Sequence, residues 1–263
     1  SDSNIQDLII PFLFCSSGFF LIGLSDDLLN LSPYSRLIFQ FLISIILWKF
    51  GFRIELNFLE SYFSFENIYF INIASFLFSI IWIVGITNSI NWFDGIDGLA
   101  SGFSFITSLG FVFVCFFYQN YNIGYLSIIL AGSCLGFLVK NFYPASILMG
   151  DSGSYFLGIQ LSFLSILSTH VLQNKSQFLV QNHNQVFISF VFLMLPLLDM
   201  IYVIVGRLRR RKSPFLGDKT HFHHRLLAAG YTHKNVVFII FSFTIITVLM
   251  AISLTLNYQI KYN

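Results

Sequence analysis

The sequence predicts an all-α protein, a polytopic integral-membrane helical bundle with about eight transmembrane helices. Three observations carry that prediction. Of 263 residues, 10% are charged and 56% hydrophobic, with 34 Phe among them, whereas a soluble domain carries about 25% charged residues. The apolar residues fall into runs near the roughly 20 residues that a helix needs to cross a bilayer. The charged residues, net +2, lie mostly between those runs. Together these exclude a soluble globule, a disordered chain, and a nucleic-acid binder that relies on a basic face. The expected surroundings are a lipid bilayer, with no nucleic acid as partner.

In chain order the predicted spans are Leu8–Leu24, Leu37–Phe50, Ile68–Thr87, Leu99–Tyr118, Ile123–Val139, Tyr155–Val171, Val186–Val205 and Val236–Leu256. The second is short for a crossing. No polar stretch between them is large enough for a separate domain, so residues 1–263 read as one integral-membrane domain. Cys15, Cys115 and Cys134 sit inside apolar runs and read as small hydrophobes, neither disulfide partners nor ligands. The chain starts at Ser1 with no basic segment ahead of its first apolar run, which fits neither a signal peptide nor a natural start.

Eight spans sort the connections into two sets. One holds Ser25–Arg36, Asn88–Gly98, Lys140–Ser154 and Gly206–Asn235. It contains Arg36, Lys140, Arg207, Arg209, Arg210, Arg211, Lys212, Lys219, Arg225 and Lys234, which is 10 of the 14 basic residues. The positive-inside rule places this set in the cytoplasm. The same connections hold most of the Asp, Asn, Gly and His capable of chemistry. A secondary transporter would gather such groups near the midplane; one-sided placement points to an enzyme working at the cytoplasmic interface.

Each of these connections offers a motif. Asp26 and Asp27 are adjacent carboxylates suited to a cation or proton-transfer site, or to a solvated helix cap. Asn88, Asn91 and Asp94 recur every three residues and would share a face on a continuing helix. With Asp97, Gly95 and Gly98 they suit Mg²⁺ or a nucleotide phosphate. Asp151 lies in a Gly-Asp-Ser-Gly turn before a helix start, where it would bind a metal or cap the helix, with backbone N–H groups facing phosphate. Arg207 to Lys212 is a basic run that reads as a topology anchor and anionic-lipid contact. His221, His223, His224 and Arg225 read as donors to phosphate or sugar in preference to a zinc site. Asp199, inside a span, is either a functional carboxylate or the partner of a basic group in the fourth connection. His170, His183 and His233 receive no role.

The order of these motifs resembles one family. Asp26-Asp27, Asn88-x-x-Asn91-x-x-Asp94-Gly-x-Asp97-Gly, Asn141-x-x-Pro…Met-Gly-Asp151-Ser-Gly-Ser, and Asp218-Lys-x-His221-x-His223-His224-Arg225-Leu are similar to the polyprenyl-phosphate N-acetylhexosamine-1-phosphate transferases of glycosyltransferase family 4. The fourth motif looks like the N-acetylglucosaminyl branch and lacks the His-His-His pattern of the muramoyl-pentapeptide branch. The resemblance implies a Mg²⁺-dependent enzyme (Mn²⁺ as alternative) of the bacterial inner membrane, its site on the cytoplasmic face. It would transfer N-acetylhexosamine-1-phosphate, GlcNAc-1-phosphate first, from a UDP-sugar to undecaprenyl phosphate, releasing UMP and starting a lipid-linked cell-surface glycan such as O-antigen. The oligomeric state is left open, with a homodimer as one option.

By the same resemblance, Asp151 is the leading metal ligand and Asn91 a second. Asp94 and Asp97 hold the nucleotide side of the site with Asn88, and Asn141 faces the uracil. Asp26 and Asp27 face the prenyl phosphate, one of them removing its proton. His221, His223, His224 and Arg225 contact the diphosphate or sugar. Leu148 stands where the family usually has a Phe that can stack on uracil. The family also begins with two further spans and a Gly-rich loop, so the expectation is an N-terminally truncated chain. The alternative is a catalytically degenerate relative that binds UDP-sugar or lipid phosphate without turnover.

Overall fold

The computed structural model describes residues 5–56, 68–175, 184–215, 217 and 219–262. Among these there are nine helices and no strand: α1 (Ile5–Leu29), α2 (Pro33–Lys49), α3 (Ile68–Phe93), α4 (Leu99–Phe117), α5 (Tyr121–Asn141), α6 (Gly150–Lys175), α7 (Asn184–Arg209), α8 (Phe222–Ala228) and α9 (His233–Tyr262). All except α8 coincide with a predicted span. The apolar pattern misses α8 because Phe222, Leu226 and Leu227 are too few to make a run, although all three pack on the core.

Six helices, α1, α3, α4, α5, α7 and α9, are long and apolar enough to cross a membrane. The chain is a polytopic helical membrane protein. With 17 residues α2 falls short of that set. For α6 the reason is composition: Gln160, Ser162, Ser165, Ser168 and Thr169 dilute its apolar side chains. These hydroxyls are buried, because α6 runs through the middle of the bundle and packs against α1, α3, α4, α5 and α7.

Inside lipid, helices associate through small residues that permit close approach and through hydrogen bonds between helices. The centre of the bundle uses both. Trp82 of α3 donates through Nε1 to Ser165 Oγ at 2.8 Å. The hydroxyls of Ser168 and Ser189 meet at 3.0 Å, and Ser189 Oγ also donates to the Ser165 carbonyl at 3.0 Å, tying α7 to α6. Between α1 and α6 the backbones nearly touch: a Cβ on Gly23 would lie 2.3 Å from the Asp151 carbonyl oxygen. Around this centre the Phe residues divide. Phe93 and Phe103, or Phe111 and Phe192, pair edge-on or tilted in the core, while Phe14 and Phe70 face outward.

Several helices run further than the apolar pattern indicates. Asp26 and Asp27 lie in the last turn of α1, and Asn88 and Asn91 in the last turns of α3. Asp151 lies in the first turn of α6. The polar residues therefore sit on helix ends, where the backbone is fixed, and all these ends come together at one end of the bundle.

Candidate active site

The site is built from the first turn of α6 outward. A helix start leaves four backbone N–H groups without partners and carries a partial positive charge. Here an exposed carboxylate from another helix takes two of them. Asp27 Oδ1 accepts from the Asp151 N–H at 2.8 Å, and Oδ2 from the Ser152 N–H at 3.0 Å. Asp27, one helical turn beyond Gly23, reaches these groups because Gly23 lets the backbones approach. The cap that the sequence offers to Asp151 is thus supplied by Asp27, and the Asp151 side chain is left for other partners.

Those partners come from three elements. Asn91 Nδ2 donates to Asp151 Oδ1 at 2.8 Å and to Ser154 Oγ at 2.9 Å. Arg36, near the start of α2, donates to Asp151 Oδ2 at 3.3 Å and forms a close ion pair with Asp26. One guanidinium thus bridges two carboxylates that are 125 residues apart in sequence. Burial, then the hydrogen bond and charge of Asp26 and the charge of Asp27, raise the Asp151 carboxyl to about 6, with the Asn91 amide opposing. Asp94, just beyond α3, is pushed up to about 7 by burial, with Asp151 and Asp97 adding repulsion.

The remaining predicted residues divide between this cluster and its supports. Asp97 Oδ2 accepts from the Ala145 N–H at 3.0 Å. Asn141 is buried, its Oδ1 accepting from the Gly98 N–H and Ser101 Oγ while Nδ2 donates to the Ile147 carbonyl. Both pin the second connection to the third. Asn88 Nδ2 donates to Gln40 Oε1 at 2.6 Å, linking α3 to α2. Leu148 is 79% exposed in the turn before α6.

In the fourth connection, Asp199 holds His221: Oδ2 lies 2.8 Å from Nδ1 of the imidazole. The ring of His223 lies 5.6 Å from that of His221 and 4.3 Å from that of His224. His223 is 1% exposed, and both its nitrogens are without a hydrogen-bond partner. Burial, then the His224 and His221 neighbours, lower its pKa to about 3, so the ring is neutral. It packs so tightly on the second connection that a Cβ on Gly95 would meet its Nε2 at 2.1 Å. Arg225 is exposed and lies over the Tyr202 ring at 4.9 Å. Asp218 lies outside the described residues.

Two residues that matter here receive no site role from the sequence. Arg36 counts there only as a topology charge, although a basic residue inside the start of an apolar helix, ten positions after two Asp, was a usable signal. Gln40, a lone amide within an apolar run, was another. Between α2, α3 and α7 a groove of about 220 Å³ opens, with Phe41, Ile81 and Met200 along it and Arg36, Asn88 and Trp92 as its polar part.

Among the described residues no three His, Cys, Asp or Glu side chains converge as a metal site of their own. Asp151 with Asn91 is still a donor set suited to Mg²⁺, which takes one or two protein oxygens and fills its sphere with water and substrate phosphate. Asn91 would contribute Oδ1 with its amide turned over, an orientation that hydrogen bonding alone decides.

Residues 9–169 match the family described as Glycosyl transferase family 4. A Bacillus subtilis protein named probable undecaprenyl-phosphate N-acetylglucosaminyl 1-phosphate transferase is 34% identical over 84% of this chain and 59% of its own length. A Mycobacterium leprae decaprenyl-phosphate N-acetylglucosaminephosphotransferase is 36% identical over 64% of this chain and 45% of its own. A Thermoanaerobacter phospho-N-acetylmuramoyl-pentapeptide-transferase is 30% identical over 93% of this chain and 74% of its own. The matched region thus spans about half the length of the two acetylglucosamine-type relatives.

Proposed function

Because this chain belongs to glycosyl transferase family 4, we propose that it transfers N-acetylhexosamine-1-phosphate from a UDP-sugar to undecaprenyl phosphate at the cytoplasmic face of a bacterial inner membrane. The observation that carries the proposal is the meeting of Asp26, Asp27, Asn91, Asp151 and Arg36, from four helix ends, within hydrogen-bond reach at one end of a membrane bundle. N-acetylglucosamine is the preferred sugar, on the strength of His221-x-His223-His224-Arg225.

Phosphoryl transfer needs positioning and charge stabilisation more than covalent help from the protein. An oxygen of the lipid phosphate attacks the sugar-bearing phosphorus. The bond from that phosphorus to the UMP oxygen breaks, and UMP leaves with the electron pair. Asp151 and Asn91 would hold Mg²⁺, which when bound supplies positive charge to the diphosphate oxygens. Arg36 keeps Asp26 and Asp151 in place and offsets part of their charge. The neutral His223, buried against Gly95, holds the fourth connection on the second. The groove between α2, α3 and α7 suits a prenyl chain whose phosphate ends at Arg36 and Asn88.

The test is direct. Full-length protein in nanodiscs, supplied with undecaprenyl phosphate, Mg²⁺ and a panel of UDP-sugars, should release UMP and form a lipid-diphosphate sugar. Binding of UDP-sugar without UMP release under every condition would support the non-catalytic reading instead.

A further inference from the structure

Asp199 is a buried carboxylate in α7 that the transfer step above does not use. Both its oxygens point at the start of α8. Oδ2 meets Nδ1 of His221 at 2.8 Å, and Oδ1 accepts from the Phe222 N–H at 2.7 Å. His221 occupies the capping position of α8, yet its own side chain makes no capping hydrogen bond. Asp199 supplies that bond from another helix and holds the imidazole with its second oxygen.

The ring is fixed on other sides as well. It meets Trp92 edge-on at 5.7 Å and lies nearly parallel to His223 at 5.6 Å. Trp92 in turn carries the Arg207 guanidinium over its face at 4.9 Å. Among the described residues, the titratable groups seen around His221 are Asp199, His223 and, at 6.5 Å, His224. A carboxylate can only accept hydrogen bonds, so Nδ1 of His221 must carry hydrogen. In a neutral imidazole that leaves Nε2 as a bare lone pair.

We propose that Asp199 is a positioning residue for the transfer reaction: it fixes His221 in the Nδ1–H tautomer and leaves Nε2 as the nitrogen that meets substrate. The proposal rests on the transferase reading for the role of His221, while the tautomer stands on the Asp199 geometry alone. A cap needs only an acceptor oxygen. A tautomer lock needs an acceptor toward the ring, and the amide of Asn reverses that bond.

Asp199→Asn separates the two roles. The Asn oxygen can still accept from the Phe222 N–H, while its NH₂ donates to His221 Nδ1 and moves the ring proton to Nε2. With ¹⁵N-histidine-labelled full-length protein in nanodiscs, the His221 signal (assigned with His221→Gln) should report Nδ1–H in the wild type and Nε2–H in the variant. UMP release should fall by up to about 10⁴-fold in kcat, the loss that the wrong tautomer causes in a His–Asp pair, with KM for the UDP-sugar within about threefold. Asp199→Glu should recover part of the rate.

An Asp199→Asn variant that keeps kcat within about tenfold would overturn the proposal, and so would a wild-type His221 protonated on Nε2. The wild-type spectrum decides the tautomer even if the variant fails to fold. If no UDP-sugar yields UMP with the wild type, the transferase reading fails. An unchanged His221 spectrum in Asp199→Asn would then separately overturn the coupling.

Discussion

Replacing Asp27 distinguishes a carboxylate that performs chemistry from one that holds the frame. In the structure both its oxygens are engaged at 2.8 and 3.0 Å by the first N–H groups of α6. Removing an N-cap side chain costs about 0.5–2 kcal/mol, and losing a negative charge at a helix start costs about 0.3–1 kcal/mol more. With each 1.4 kcal/mol worth tenfold, Asp27→Ala should weaken the equilibrium that keeps Asp151 in place by roughly fourfold to a hundredfold. Asp27→Asn keeps one acceptor oxygen but loses the charge, so it should cost about three- to thirtyfold, because half the cap survives. Arg36 and Asn91 also hold Asp151, so these are upper limits. A general base would contribute about 10²–10⁴-fold and would lose all of it in Asn as well as Ala. The assay is UMP release at saturating substrates, paired with hydrogen exchange at the Asp151 and Ser152 amides. Loss beyond about a thousandfold in Asp27→Asn, with those amides still protected, would refute the framing role and assign Asp27 to proton transfer.

Asp151→Ala should lower UMP release by about 10³-fold or more, since polarisation by a bound metal is worth several kcal/mol; near-normal turnover across a Mg²⁺ titration would remove Asp151 as ligand. Gly23→Ala puts a methyl 2.3 Å from the Asp151 carbonyl. It should lower thermal stability by about 1–3 kcal/mol, typical of overpacking, with turnover falling in parallel, and an unshifted melt would show that α1 and α6 tolerate separation. Burial raises Asp94 to about 7 from an ordinary carboxylate value. Its protonated form favours folding, so its stabilisation is complete below about 4 and is lost as pH rises through about 7. Asp94→Asn should therefore melt above the wild type at pH 8 in EDTA, the advantage shrinking toward pH 4; equal melts at both would contradict the burial.

Much of this was legible in the chain because membrane physics simplifies it. Scarce charge and long apolar runs predict helices, and a spacing of three places Asn88 and Asn91 on one face of α3. What the sequence could not give is pairing across distance. Asp27 reads as a possible cap for the segment that follows it, yet it caps a helix that begins 123 positions later, through an approach only Gly23 permits. Arg36 looks like a topology anchor until the fold sets it between Asp26 and Asp151. Asp199 left two readings open, and its partner proved to be a histidine of the fourth connection. His223 shows residue type without environment: only burial against Gly95 reveals a neutral ring.

The hydroxyl-rich centre of α6 bears on how the molecule is made. A segment carrying Gln160 and a run of Ser gains less from entering lipid than its neighbours do. Its hydroxyls are satisfied largely within α6 itself and by Trp82 and Ser189, which lie on α3 and α7. Insertion of α6 is then cooperative with helices made before and after it, and α6 is the helix whose first turn bears Asp151. A biosynthetic intermediate lacking α7 would leave the Ser189 contacts unmade, while Asp27, Arg36 and Asn91, all on helices made earlier, would already hold Asp151 and the first turn of α6.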